Sequence, residues 1–292
     1  MGLVTKRAKD ISKRNGLPLI GESVFSEYTN KTFFILGSGA SVENLTDEDF
    51  KVISQGFSIG INTWPVHDFI PTAYAFESFR DVGRCDTISC ALDRIDVHQK
   101  LPFIFLELNS FRVNDQNRIK IPEILFTKIF LYGKIPAITN DLDMLSKYLK
   151  RFLLDSRKGR IPNWISFSQN ATIERLALLG IMLGFKDIVF VGVDLNNTRY
   201  FWEKNPKYLT RRGLNKLVSG QTGTVHKTAD LNQRKIPTPE VIKLIAKHGY
   251  ETHGAKCWAA DKASALSEFL AVYDFQNFCA SSEKKYEETT KK

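Results

Sequence analysis

The sequence predicts an α/β protein of Rossmann-like type with a mainly parallel sheet. Two stretches carry this prediction. An apolar run at 32–36 ends in a glycine-containing turn, which is typical of a buried parallel strand followed by a ligand-binding loop. A second stretch, at 165–194, combines a polar loop, an apolar helical pattern and a strand that ends in an acidic residue. Ligands bind at the carboxyl ends of such strands, so the loops that follow them are the candidate site.

The other elements follow from apolar runs and helix caps. We predict further strands at 57–61, 72–76, 103–106, 128–132, 188–193 and 250–252, helices at 141–152 and 263–273, and an apolar helix that Gly184 closes. The predicted organisation is a basic N-terminal lead-in at 1–30, a single α/β domain at 31–280 with a lid at about 195–235, and a polar tail at 281–292.

Composition places the chain among ordinary globular proteins, since 43% of its 292 residues are hydrophobic and 25% are charged. No apolar run reaches the roughly 18 residues of a membrane span, and the N-terminus lacks the apolar middle of a signal peptide. We therefore expect a cytoplasmic protein. Its four cysteines form no CxxC pair, so reduced thiols and no metal site are expected from them.

A net charge of +9 favours anionic partners: nucleic acid, an anionic membrane surface or a phosphorylated small molecule. A solvated basic surface explains the same charge. No helix-turn-helix, RNP aromatic motif or zinc-finger spacing is present, so nucleic acid is not expected. Basic residues near both ends leave open a peripheral contact with the inner membrane.

The turn after the first strand has the sequence GSGAS, formed by Gly37, Ser38, Gly39, Ala40 and Ser41. Glycines let a phosphate or ribose lie against the backbone, and a helix that starts here would present free N–H groups to an anion. The turn therefore predicts a nucleotide-binding loop. It is not a full dinucleotide fingerprint, because Val42 replaces the third glycine. A tight turn without a ligand also fits.

Polar residues follow the other predicted strands at the same edge. Asn62 follows the second strand, in place of the carboxylate that NAD sites prefer, and Glu77 with Ser78 follows the third. The loop before the apolar helix and the end of the next strand add Ser168, Gln169, Asn170, Thr172, Asp194 and Asn196. We expect these side chains to line one crevice with the GSGAS loop.

Asp141-Leu142-Asp143 matches the DxD triplet by which many glycosyltransferases hold a metal on a nucleotide diphosphate. A helical pattern continues directly after these residues. Carboxylates in the first turn of a helix are explained by capping and by the helix dipole. Capping is the preferred interpretation, and no metal site is predicted.

His226 is the candidate general base, because it lies in a polar, lid-like segment between clear elements. Histidine ionises near neutral pH and can take a proton there. A histidine in a surface loop is the alternative. His253 is the reserve candidate, because the predicted strand at 250–252 would bring it near the crevice, whereas His67 and His98 are expected to be structural or solvated.

The order of these motifs resembles the bacterial sialyltransferases that act on lipooligosaccharide, over roughly 32–250. GSGAS is similar to their GNGPS loop, and Asn62 to their nucleotide-contacting asparagine. LGFKDI followed by GVD resembles their central helix-strand unit, and HKTAD at 226–230 their HSKNTD segment. Four positions depart from the family pattern: Glu77, Gln169, Thr172 and Asn196.

The resemblance implies a variant GT-A fold, a Rossmann-like α/β/α sandwich with a small flexible lid between the strand that ends at Asp194 and His226. It also implies a donor in which CMP carries sialic acid, a related acidic sugar or Kdo. It implies an inverting transfer, without metal or cofactor, to an oligosaccharide or lipid-linked glycan of the bacterial surface. The base would be His226. Tyr200 matches the second lid tyrosine, and Arg211 could stabilise the leaving phosphate. A homo-oligomer is compatible with the sequence.

Two other classes of protein remain open. One is a different nucleotide-dependent enzyme of Rossmann type: a pyrophosphokinase-like enzyme, an NAD-using enzyme or a metal-dependent NDP-sugar transferase. The other is a non-catalytic module that binds a nucleotide or a glycan. Tight binding of CMP without metal would argue against the first class, and loss of function in His226→Ala against the second.

Overall fold

A computed structural model of the chain describes residues 2–21, 24–28, 31–77, 82–108, 119–137, 139–203, 205–209, 225–232 and 235–276. Its centre is a sheet of eight parallel strands. The strands are β1 (Phe33–Leu36), β2 (Phe57–Ile61), β3 (Ala73–Phe76), β4 (Phe103–Glu107), β5 (Ile129–Pro136), β6 (Ile165–Ser168), β7 (Asp187–Val191) and β8 (Lys256–Ala259).

The strand order across the sheet is β6-β5-β4-β3-β2-β1-β7-β8. From β1 to β6 the chain adds strands in one direction, and it then returns to place β7 on the other side of β1. The order therefore reverses between β1 and β7. In open parallel sheets a crevice forms at such a reversal, outside the carboxyl ends of the two strands.

Helices cover the sheet. They are α1 (Gly2–Asn15), α2 (Asp47–Gln55), α3 (Val82–Leu92), α4 (Ile95–Lys100), α5 (Leu142–Arg157), α6 (Thr172–Met182), α7 (Pro206–Leu209) and α8 (Thr238–His253). The helices α5, α6 and α8 pack against one another, and Gly180 of α6 lies against the ring of Phe33. Phe34 points to the opposite face, where its ring meets those of Tyr273 and Phe275. The predicted α/β/α fold with a parallel sheet is confirmed.

Two of the predicted strands and helices are wrong. Residues 250–252 belong to α8, whose buried positions continue at helical spacing through His248 and Thr252 until Gly254, in the left-handed region, ends the helix. Residues 263–273 form only a 3₁₀ turn, Ala265–Glu268. Two backbone bonds to Ala259 hold the chain beyond this turn against β8, so that a helix cannot form there.

The loop predicted from residue 165 begins as a strand. All four residues of β6 are buried, and the strand pairs with the second half of β5. Beside the first half of β5, the backbone of Leu131 donates to Pro18 and accepts from Ile20. The N-terminal segment thus supplies a short edge to the sheet, and it also places Phe25 in the core against Phe57 and Phe105.

Of the helices in the described ranges, none combines the length and the apolar character that crossing a bilayer requires.

Candidate functional site

A cleft of about 310 Å³ opens at the carboxyl ends of the strands, where the strand order reverses between β1 and β7. Ten of the residues that the sequence predicted for the site line it: Gly37, Ser38, Gly39, Asn62, Glu77, Asn170, Thr172, Asp194, Tyr200 and His226. They come from six separate segments of the chain. The predicted crevice therefore exists, and most of its predicted residues meet there.

The glycine loop after β1 lies directly on the loop after β7. Gly37 N donates to Val191 O at 2.7 Å, and Gly39 N donates to Gly192 O at 2.8 Å. A Cβ atom on Gly37 would lie 2.5 Å from Gly192 O. Both glycines therefore allow the loop after β1 to approach the loop after β7 closely. This packing role is separate from their predicted role in binding a phosphate.

Asp194 links the loop after β7 to the loop after β1 by hydrogen bonds. Its carboxylate accepts from Ser41 N at 3.0 Å and from the Ser41 hydroxyl in a very short hydrogen bond. Ser41 and Ala40 belong to a 3₁₀ turn and are not among the residues that line the cleft. Asp194 and Ser41 therefore set the shape of the loop, whereas Gly37, Ser38 and Gly39 face the cleft.

Asn62 follows β2 in the left-handed region, with φ of 53°. Asparagine tolerates this region better than most residues, which accounts for an asparagine at the strand end. In the described part of the chain, no group donates a hydrogen bond to its buried Oδ1 atom. An unpaired amide oxygen at the wall of a cleft can accept a hydrogen bond from a ligand.

Beneath the cleft lies a buried network of charges. Arg175 in α6 donates to Glu107 Oε2 at 2.6 Å and to Glu77 Oε2 at 2.7 Å. The hydroxyl of Thr172 also donates to Glu77, at 2.9 Å, and Lys134 lies 3.0 Å from Glu107. Glu77 and Thr172 both depart from the family pattern, and the network explains them together: a carboxylate at the end of β3 is stabilised by an arginine and a hydroxyl from α6.

The loop before α6 presents only its end to the cleft. Gln169 Nε2 donates to Thr139 O and Asn170 Nδ2 to Ile236 O, each at 2.6 Å. Ser168 is buried, with its hydroxyl 3.4 Å from Ala171 O. Ser168 and Gln169 do not line the cleft, whereas Asn170 and Thr172 do.

His226 is half-buried and lines the same cleft. Its backbone N–H donates to Leu195 O at 3.2 Å, and its Nδ1 atom lies 2.9 Å from the hydroxyl of Thr228. Burial and the positive charges of Lys227 and Arg84 lower the pKa of His226 to about 4. The imidazole is therefore neutral at pH 7 and able to accept a proton.

His253 does not reach the cleft. It is the last residue of α8, and its carbonyl accepts from Lys186 Nζ at 2.7 Å. Lys186 directly precedes β7, so His253 lies at the amino-terminal edge of the sheet, opposite the cleft. The choice of His253 as the reserve base depended on a strand at 250–252. Because these residues are helical, that choice is wrong.

The first part of the predicted lid is attached to the glycine loop. Phe201 N donates to Ser38 O at 3.2 Å, and Tyr200 forms a backbone bridge with Gly39. The ring of Tyr200 stacks on Trp202 at a centroid distance of 4.6 Å. Phe201 belongs to the core, because its ring is buried against Trp64. Tyr200 lines the cleft.

Not every predicted site residue is found in the described lining of the cleft. Asn196 donates from its side chain to Ala263 O at 2.6 Å and is not part of the cleft lining. Ser78 and Arg211 lie outside the described residues. The site assignments for Ser78 and Arg211 stay predictions.

Three basic residues at the cleft were missed by sequence reasoning: Arg84 in α3, Arg199 and Lys227. Arg199 also lies 3.8 Å from Glu43. Lys227 could have been selected because it adjoins His226, but nothing in the sequence near Arg84 marks it. These three side chains make the cleft attractive to an anion.

Asp141 has the capping role that the sequence favoured. It precedes α5, and its carboxylate accepts from Met144 N at 2.8 Å. Neither Asp141 nor Asp143 is among the residues that line the cleft.

No protein-family model matches the chain, and no curated protein matches it in sequence. Among solved structures, it is similar to the sialyltransferase CstII from Campylobacter jejuni, solved with the substrate analogue CMP-3FNeuAc, at 14% identity and a TM-score of 0.46 over 85% of this chain and 88% of that one. It is also similar to the monofunctional alpha-2,3-sialyltransferase Cst-I from Campylobacter jejuni, at 14% identity and a TM-score of 0.47 over 89% of this chain and 84% of that one. Both of these proteins are sialyltransferases.

Proposed function

We propose that this protein is a CMP-sugar-dependent glycosyltransferase, similar to sialyltransferases, that moves an acidic sugar to a glycan acceptor. The observation that carries the proposal is the position of His226. A neutral imidazole faces the same cleft as the glycine loop after β1, at the reversal of the strand order. A nucleotide-binding loop and a base that share one cleft fit the transfer of a group from a nucleotide donor.

The walls of the cleft suit the two ends of such a donor. Asn62 and Asn170 offer amide groups, and Ser38 a hydroxyl, for a ribose and a base. Arg84, Arg199 and Lys227 offer positive charge for the phosphate and for the carboxylate of an acidic sugar. These three cations outnumber the two carboxylates in the described lining of the cleft, Glu77 and Asp194, which suits an anionic donor such as a CMP-linked sialic acid, a related acidic sugar or Kdo.

The reaction follows from the residues at this cleft. The acceptor hydroxyl gives its proton to His226 as its oxygen bonds to the anomeric carbon, and the bond from that carbon to the phosphate oxygen breaks. The electron pair leaves with CMP, and the sugar inverts because displacement is direct. Tyr200, the basic residues of the cleft and Arg211 stabilise the phosphate as it leaves. No metal has a part in this proposal.

The acceptor in this proposal is an oligosaccharide or a lipid-linked glycan of a bacterial surface polysaccharide. The basic helix α1, with Lys13 and Arg14 in its last turn, offers charge for a peripheral contact with an anionic membrane where a lipid-linked acceptor would be presented.

Binding of CMP tests the donor class. We expect CMP with EDTA to raise the melting temperature of the protein, because a ligand that binds only the folded state stabilises it by mass action. UDP, CDP and NAD serve as comparison ligands, each with EDTA and then with manganese. Stabilisation by a nucleotide diphosphate only in the presence of manganese would overturn the proposal and direct mutagenesis to Asp141 and Asp143.

The pH profile of transfer tests the state of the base. Because the pKa of His226 is lowered to about 4, we expect kcat/KM to stay level from neutral pH to about pH 5 and to fall as the pH approaches 4. The profile of kcat/KM reports the free enzyme, so it is the measurement to make. An acid limb centred at the ordinary histidine value of 6.5 would show that His226 is solvated or that another group is the base.

A further inference from the structure

A second buried carboxylate in α6 has no place in the reaction described above. Glu174 is fully buried, and in the described ranges it forms no ion pair with a lysine or arginine. Its Oε2 atom accepts from the backbone N–H groups of Gln169 and Asn170, each at 2.9 Å. Its Oε1 atom accepts from the hydroxyl of Thr238 at 3.0 Å. Burial raises the pKa of Glu174, and these hydrogen bonds oppose that shift only in part.

These contacts join two walls of the cleft. Gln169 and Asn170 belong to the loop before α6, and Asn170 lines the cleft. Thr238 is the first residue of α8, and its backbone N–H donates to Thr228 O at 2.8 Å. The hydroxyl of Thr228 in turn lies 2.9 Å from His226 Nδ1. One carboxylate thus connects the loop before α6 with the segment that holds the imidazole.

A second contact also joins the loop before α6 to the segment that precedes α8. The side chain of Asn170 donates to Ile236 O at 2.6 Å, two residues before Thr238. Hydrogen bonds of both Glu174 and Asn170 therefore connect the loop before α6 to the start of α8.

We propose that Glu174 is a positioning residue that couples the loop before α6, residues 169–171, to His226 through Thr238 and Thr228. The inference rests on the proposed function for its consequence, which is that donor binding at the loop helps to set the orientation of the base. The coupling itself is a property of the free protein and can be measured without a donor.

Two variants separate the parts of this coupling. Glu174→Met removes the acceptor for the loop and for Thr238, whereas Thr238→Val removes only the hydroxyl and leaves the loop attached to Glu174. The matched control is Thr252→Val, because Thr252 is a buried threonine of the same helix whose hydroxyl donates to His248 O, away from the cleft. A loss of stability alone should be similar in the two threonine variants.

The first measurement is the ¹⁵N NMR spectrum of the His226 ring in the ligand-free protein, recorded as a function of pH on folded samples of each variant. We expect the Nδ1 resonance to shift and the pKa of His226 to rise towards its ordinary value in Glu174→Met and Thr238→Val, but not in Thr252→Val. A His226 ring that is unchanged in folded Glu174→Met and Thr238→Val would overturn the inference, whether or not the protein binds CMP.

The second measurement uses CMP affinity and kcat at a temperature at which every variant is folded. We expect Glu174→Met to weaken CMP binding and to lower kcat, and Thr238→Val to lower kcat by about 10- to 100-fold with CMP affinity nearly unchanged. A kcat that follows only the loss of stability, equal in both threonine variants, would contradict the coupling. If wild-type protein does not bind CMP, the proposed function fails, and the NMR result alone decides the position of the ring.

Discussion

Replacing His226 by alanine is expected to lower sugar transfer by about 10²- to 10⁴-fold, the usual contribution of a general base. CMP should still bind within a few-fold of wild type, because the glycine loop, Asn62 and Asn170 belong to other segments of the cleft. The measurement is the initial rate of transfer from CMP-sialic acid and from CMP-Kdo, together with the Kd of CMP by calorimetry. The physical reason is that the acceptor hydroxyl then has no group to take its proton.

The control for this experiment is His253→Ala. His253 is half-buried at the opposite edge of the sheet, so its removal should leave both the rate and CMP binding unchanged. Equal activity of His226→Ala and wild type would exclude His226 as the base. Loss of CMP binding in His226→Ala, with the fold intact, would instead assign the imidazole to donor binding.

Replacing Arg175 by methionine is expected to lower the free energy of unfolding by about 3–5 kcal/mol, the range found when one partner of a buried ion pair is removed. Glu77 and Glu107 would then lose the guanidinium that joins them, and Glu107 is almost fully buried. Urea denaturation followed by circular dichroism measures this loss. The variant should also weaken CMP binding, since Thr172 and Glu77 line the cleft and depend on the same network.

Arg151→Met is the matched control, because Arg151 is an exposed arginine that pairs with Asp155 on the surface of α5. Exposed pairs contribute about 0–1 kcal/mol, so this variant should unfold close to wild type. If Arg175→Met costs no more than Arg151→Met, the buried network does not stabilise the fold. A variant that also carries Glu77→Gln and Glu107→Gln should recover part of the loss, because it no longer leaves carboxylates without their cation.

The sequence was most informative where a local pattern decides the structure. β1, β2 and β3 are short apolar runs next to glycine, asparagine and glutamate, and these runs and their ends are visible without a structure. His226 was also selected from a local pattern, because it lies in a polar segment between clear elements. Residues at strand ends could therefore be assigned to one edge of the sheet, and most of them meet there.

Contacts between distant segments could not be predicted in the same way. Gln169 and Asn196 are polar residues in suitable loops, but their side chains bind Thr139 and Ala263 instead of facing the cleft. Arg84 reaches the cleft only because α3 passes beside it. The pairing of Glu77 with Arg175 joins residues nearly one hundred positions apart, and neither residue alone indicates it.

β1 lies inside the sheet between β2 and β7, yet these two neighbours leave the ribosome at very different times. β2 follows it closely, whereas β7 begins only at Asp187. At a synthesis rate of about 5–20 residues per second, one side of a fully apolar strand has no partner for roughly 8–30 s. Contacts between segments so far apart in the chain form slowly. We therefore expect docking of β7 on β1 to limit the rate of folding, and β1 to be the segment of the nascent chain that most needs a chaperone.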